Sequence, residues 1–125
     1  MVVVDAANVV GSRPDGWWRD RAGAAGRLVG SVRAAVADRR LDGQVVVVLE
    51  GRARPGAAEG VADGVSVVHA AGEGDDRIVE EARAAVGAGG APVLVVTADR
   101  GLAARVEAEG ADVVGPRWLL ARLDP

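Results

Sequence analysis

Four short runs of valine and leucine set the tightest limit on what this chain can fold into. Val2 to Val4 run into Asp5, Val45 to Leu49 into Glu50, Val65 to Val68 into His69, and Val93 to Val96 into Thr97 and Asp99. Val113 and Val114 suggest a short fifth run. A strand with one wet face alternates apolar and polar residues, whereas a strand covered on both faces is apolar throughout. These runs are of the second kind, so each strand needs a layer of helices above and below it.

The stretches between the runs supply those layers. From Trp18 to Arg40 the apolar positions Ala25, Leu28, Val29, Val32, Ala35 and Val36 recur at spacings of three and four, as one helix face does. Ile78, Val79, Ala82, Ala85 and Val86 repeat the pattern after the third run, and Leu102 and Val106 do so briefly after the fourth. Pro116, a favourable first-turn residue, opens a last helix that buries Trp118, Leu119 and Leu123. Alternating strands and helices predict an α/β, Rossmann-like three-layer fold with a central parallel sheet of four to five strands, the first of them interior. Gly51 to Gly64, rich in Gly, Pro and Ala, reads as a loop with room for one helical turn. A length of 125 residues suits one domain over 1–125, with no internal repeat or linker.

Composition removes several chemistries. The chain has no Cys, so disulfides, thiolate zinc sites and a cysteine nucleophile are out. It has no Lys, and all fifteen basic residues are Arg. That argues against P-loop NTPases, receiver domains and haloacid-dehalogenase-type phosphatases, which rely on a site lysine. The excess of Ala, Gly, Val and Arg also carries the mark of GC-rich coding. No apolar run approaches the roughly 18 residues needed to span a bilayer, and the start MVVVD has no leader pattern. The expectation is a cytoplasmic protein without a membrane partner. The net charge of −3 divides unevenly: nine Arg against six acids through Arg54, then six Arg against twelve acids from Pro55 onward. A basic face beside an acidic rim suits an enzyme acting on a polyanion, although ordinary solvated helix faces have the same composition.

The acids fall where an open parallel sheet binds ligands, beyond the carboxyl ends of its strands. Asp5 and Glu50 end predicted strands, Asp99 lies just past a third, and Asp75 and Asp76 open the helix after another. Asp75 and Asp99 could equally be helix caps, and Glu50 a solvated loop residue. Asp5 is harder to dismiss, because a carboxylate directly after a buried strand is costly unless paired or metal-bound. Oxygen ligands without Cys, and with His69 as the only His, suit Mg²⁺ or Mn²⁺ rather than zinc. His69 itself reads as a strand-end residue. Asn8, three residues after Asp5, could orient a water or phosphate oxygen, or only shape the turn.

The segment VVVDAANVVGSRPDGWW resembles the opening strand and loop of NYN domains, relatives of the PIN-type nucleases, which typically carry D-G-x-N at this point. Here the motif reads Asp5-Ala6-Ala7-Asn8, with Ala6 in place of glycine. VVVVLEGRARPG resembles the second strand and loop of the YacP-like branch, with Glu50 where an Asp is usual. GEGDDRIVEEA resembles the acidic start of the next helix, and VVTADRGL the fourth strand with its acid. The resemblance covers nearly the whole chain in order. It implies a PIN-like fold and metal-dependent cleavage of single-stranded RNA. The catalytic set would be Asp5, Asn8, Asp75, Asp76 and Asp99, with Asp5, Asp76 and Asp99 as metal ligands and Asp75 as a competing or additional one.

In that reading Arg13, Arg19, Arg21, Arg52 and Arg54 would steer the RNA backbone, and Trp17 or Trp18 could stack on a base, one of the pair packing against the core. Two other functions stay open: a metal-dependent hydrolase of small nucleotides, and a non-catalytic module that keeps the fold and binds nucleic acid. Assembly as a homodimer is also open. A dinucleotide-binding domain fits poorly, since the glycines at Gly87 to Gly90 follow a helix and precede a strand, the reverse of what that motif requires.

Overall fold

The computed structural model describes residues 1–124. The valine runs form the middle of a six-stranded sheet in the order β3-β4-β2-β1-β5-β6. The strands are β1 (Val2–Asp5), β2 (Val45–Leu49), β3 (Gly60–Ala62), β4 (Val65–His69), β5 (Leu94–Val96) and β6 (Asp112–Val114). Five are mutually parallel, and β3 alone pairs antiparallel, on the outer edge of β4. Around the sheet lie α1 (Ala6–Gly11), α2 (Arg21–Ala37), α3 (Gly74–Ala88), α4 (Arg100–Ala108) and α5 (Pro116–Leu123).

Side chains on a strand alternate between faces, and here each face has its own core. Val2 and Val4 of β1, with Val45, Val47 and Leu49 of β2, meet Leu28, Val29 and Val32 of α2 and Leu119 of α5. Val3, Val46 and Val48 meet Ile78, Val79 and Ala82 of α3 and Leu102 and Val106 of α4. Runs of valine are therefore required: each successive residue enters a different hydrophobic layer. With no Phe or Tyr, both layers are built from small branched side chains.

Two elements depart from the sequence-based expectation. The first is α1, six residues that start directly after β1, where a turn around Asn8 was the reading. The second lies in Gly51 to Gly64, read as a loop. It holds a 3-10 turn at Gly51–Gly56 and then the sixth strand, β3. All three residues of β3 are exposed, and Val61 keeps 76% of its surface open, so no apolar pattern marks the strand.

The 51–56 turn packs tightly on α2. A β-carbon at Gly56 would sit inside the van der Waals envelope of the Ala22 carbonyl, and one at Gly26 would fall 2.8 Å from the Gly56 carbonyl oxygen. Both glycines let two backbones touch. This contact fixes the segment that follows Glu50. Gly56→Ala is expected to lower unfolding free energy by about 1–3 kcal/mol, the usual range for overpacking, in a urea titration. Gly30→Ala, on the same helix with open space around its Cβ, should be neutral or stabilising.

Candidate active site

The sheet order reverses at β1: the chain passes first to β2 on one side and later to β5 on the other. Such a switch point leaves a crevice at the carboxyl edge, and Asp5 ends β1 there with only 7% of its surface exposed. Its two oxygens have different partners. Thr97 Oγ1, at the end of β5, donates to Asp5 Oδ2 at 2.8 Å, and the Asn8 backbone N–H donates to Oδ1 at 3.2 Å. Asp5 is thus the N-cap of α1 as well as the last residue of β1. Asn8 completes the link, its Oδ1 accepting the Ala98 N–H at 2.8 Å. Thr97 Oγ1 also accepts the Asp99 N–H at 3.1 Å. Side chains and backbone at residues 5, 8, 97, 98 and 99 therefore form one hydrogen-bonded net across the switch point.

Thr97 is the member that sequence reasoning passed over except as a strand end. The available signal was a hydroxyl residue closing a buried valine run, where a side chain needs a polar partner.

Burial is the main reason that the Asp5 carboxyl titrates above the ordinary carboxylate range. The Thr97 and Asn8 hydrogen bonds oppose that shift, and the charges of Asp75 and Glu50 add to it. Asp75 is also pushed up, first by burial, then by the charges of Asp99 and Glu50, with Arg105 pulling the other way. Asp5, Glu50, Asp75 and Asp99, from four separate segments, thus share one electrostatic neighbourhood. Glu50 spans two of them directly, its Oε2 accepting the Gly74 N–H at the start of α3. Asp99 caps α4 by accepting the Leu102 N–H at 3.0 Å.

Asp76, one residue on from Asp75, is turned elsewhere. Its Oδ1 pairs with Arg105 at 2.9 Å on an exposed surface of α3 and α4. Successive residues of a helix diverge by about 100° around its axis, and Asp76 is exposed where Asp75 is half-buried.

The candidate arginines disperse in the same way. Arg21 and Arg52 line a cavity of about 340 Å³ together with Trp17, Ala6 and Glu50. Arg13 pairs with Asp124 at 3.2 Å, against a different cavity between α1 and α2. Arg19 lies 5.8 Å over the ring of Trp18, which is 55% exposed. Arg54 Nε donates to the Gly51 carbonyl. His69 is occupied at the end of β4: its Nε2 lies 2.7 Å from the Ala57 carbonyl oxygen, and its backbone N–H donates to Glu59. Ala6, at the position where the resemblance anticipates glycine, is buried in the first turn of α1, a helical position that asks for no positive φ.

Among the described residues, no three acidic or histidine side chains converge into a ready-made metal centre. The donor chemistry nevertheless fits a hard divalent cation. The candidate donors are carboxylate oxygens, and the like-charge repulsion that adds to burial at Asp5 and Asp75 marks a local excess of negative charge.

A mostly parallel six-stranded sheet covered by helices on both faces is a three-layer α/β fold. Two solved structures of Rae1 (YacP) from Bacillus subtilis share it. One superimposes with a TM-score of 0.70 at 19% identity over 99% of this chain and 73% of that one. The other, a tryptophan-to-leucine mutant, gives 0.69 at 20% identity over 98% and 74%. No protein-family model matches the chain, and no curated protein matches it in sequence. No helix among the described residues is long and apolar enough to cross a membrane.

The raised carboxyls have a sign that can be tested. A carboxyl whose pKa is higher folded than unfolded stabilises the native state below its unfolded value, and that stability is lost as pH rises through the folded value. Asp75→Asn, which removes one repelled charge, should therefore raise the metal-free Tm at pH 7 by roughly 1–2 °C. The gain should vanish as melts are repeated toward the ordinary Asp pKa of 3.8. Asp99→Ala, which deletes a cap, should instead cost about 1 kcal/mol, and Asp99→Asn, which keeps an acceptor, should restore most of it in the same melts.

Proposed function

We propose that the chain is a divalent-metal-dependent endoribonuclease of the NYN type, acting on single-stranded RNA. The observation that carries this reading is the shared field of Asp5, Glu50, Asp75 and Asp99 over the switch point, beside a cavity rimmed by Arg21 and Arg52. The sequence resemblance to NYN domains and the structural likeness to Rae1 (YacP) support it.

Mg²⁺ or Mn²⁺ would be held by Asp5 together with Asp75 and Asp99, with Glu50 beside them. The pairing of Asp76 with Arg105 favours Asp75 over Asp76 as the α3 ligand. When bound, such an ion supplies water activation and charge stabilisation at phosphorus. Asp5 is the anchor, since burial and two hydrogen bonds hold its carboxylate in one orientation. Asn8 acts by position: its carbonyl is committed to Ala98, which leaves its amide hydrogens free to donate to a phosphate oxygen or a water. Arg21 and Arg52 attract the backbone, and the absence of lysine leaves that work to guanidinium groups. RNA is favoured over free nucleotides because the space on the other side of Asn8, lined by Ser12, Ala98, Gly115 and Arg117, is an open surface of about 660 Å³ rather than a closed pocket.

Purified protein with Mn²⁺ is expected to cleave single-stranded RNA, to lose the activity with chelator and to regain it with Mg²⁺ or Mn²⁺. Asp5→Asn should reduce the rate at least a hundredfold, and Asn8→Ala should lower turnover more than Mn²⁺ affinity measured by calorimetry. Mn²⁺ affinity should fall on acidification at a pH above that of an ordinary carboxylate, because Asp5 and Asp75 take up protons early. Hydrolysis of nucleoside triphosphates with RNA left intact would replace this reading by a small-nucleotide hydrolase. Metal binding with neither activity would leave a binding module.

A further inference from the structure

The cavity beside the acids is more than a basic rim. It lies between α1, the start of α2, the 51–53 turn and the 72–73 loop. Ala6, Val10, Ala25 and Ala53 make its floor apolar, and the half-buried Trp17 forms a wall. The Arg21 guanidinium lies 5.3 Å over the Trp17 ring, near the limit of about 6 Å for a cation–π contact. Trp18 meets Trp17 edge-on, with ring centroids 6.0 Å apart at 89°, and steadies it from the solvent side.

The dimensions and chemistry narrow the occupant. At about 340 Å³ the cavity is at the small end of ligand pockets, which begin near 300 Å³. It has room for one nucleotide and not for a run of them. Its floor and wall suit a flat apolar ring, because bases are taken up by stacking on aromatic or guanidinium planes. Two arginines and two glutamates, Glu50 and Glu73, share its lining, and the arginines suit the phosphate attached to that ring. Glu50 belongs both to the cavity and to the acid cluster, and Ala6 directly follows Asp5. A base held here therefore has its own phosphate next to the carboxylates.

We infer that this cavity is a nucleobase subsite, taking a single unpaired base of the RNA nucleotide next to the bond that is cut. The inference rests on the RNA-cleaving reading for the path of the strand, but binding at the cavity needs neither metal nor cleavage. Trp17 would be the stacking platform, Arg21 and Arg52 the phosphate contacts, and Gly72 the open lip. A β-carbon at Gly72 meets no atom within 4 Å, so the backbone accepts a larger residue at this point of the cavity's lining.

The test is a metal-free titration of the intact ¹⁵N-labelled protein with adenosine 5′-monophosphate and, separately, ribose 5-phosphate, followed by amide chemical shifts. Saturable shifts are expected at residues 51–53 and 72–73, with ribose 5-phosphate at least tenfold weaker. Trp17→Leu and Gly72→Leu should each weaken adenosine 5′-monophosphate at least tenfold. Gly72→Leu should keep the dispersed spectrum of the folded protein, so the result does not depend on whether Trp17→Leu folds. Equal binding of ribose 5-phosphate would make the cavity an anion site and overturn the inference, as would shifts centred elsewhere or a folded Gly72→Leu that binds normally. Nucleotide binding here without any cleavage of RNA would uphold the subsite and fail the nuclease reading; cleavage without nucleotide binding would do the reverse.

Discussion

The structure turns on one buried carboxylate. Asp5 sits at the end of the central strand, where an ionised group without partners would cost several kcal/mol. The chain answers with the Thr97 hydroxyl and the Asn8 N–H, and then ties Asn8 back to Ala98. These bonds join the first strand to the end of the fifth, 92 residues apart at Asp5 and Thr97. The helix that begins at Ala6, the cap on α4 and the crevice between β1 and β5 are all set by how that charge is satisfied. Satisfaction is incomplete, because burial and then the charges of Asp75 and Glu50 still raise its pKa. A carboxylate held rigidly and kept short of neutralising charge is suited to receiving a cation.

Much of this could be read from the sequence, for identifiable reasons. Both-face burial leaves a direct imprint, because every residue of a valine run must be apolar, so the parallel strands and the interior position of β1 were visible. The helices α2 and α3 were visible because they are long enough to show a repeating face, α4 through Leu102 and Val106, and α5 through Pro116 in its first turn. Elements too short or too exposed left no such trace. α1 spans six residues, less than two turns, and three of them are Ala or Gly. β3 has no buried residue at all. Its place is decided by pairing with β4 and by the Gly26–Gly56 contact, neither of which is a pattern along the chain.

The acidic rim was legible in outline and not in detail. Strand ends predict which carboxylates gather, because the sheet order brings those ends together. They do not predict which of two adjacent aspartates turns inward. Asp75 and Asp76 are the same residue type, and the packing separates them: Asp75 is half-buried among the other acids, while Asp76 is exposed and pairs with Arg105 of α4. The arginines show the same limit. Sequence proximity grouped Arg13 with Arg19 and Arg21, whereas the packing of α5 draws Arg13 away to Asp124.

The link between Asp5 and Thr97 also bears on how the protein comes into being. Synthesis delivers β1 well before residues 97–99, since 92 residues separate Asp5 from Thr97. Until then β1 has no neighbour on its β5 side, and Asp5 lacks the hydroxyl that fixes it. The first carboxylate of the cluster is thus made long before the hydroxyl that holds it. A nascent chain carries every early acid of the cluster, Asp5, Glu50 and Asp75, without the arrangement that makes them act together.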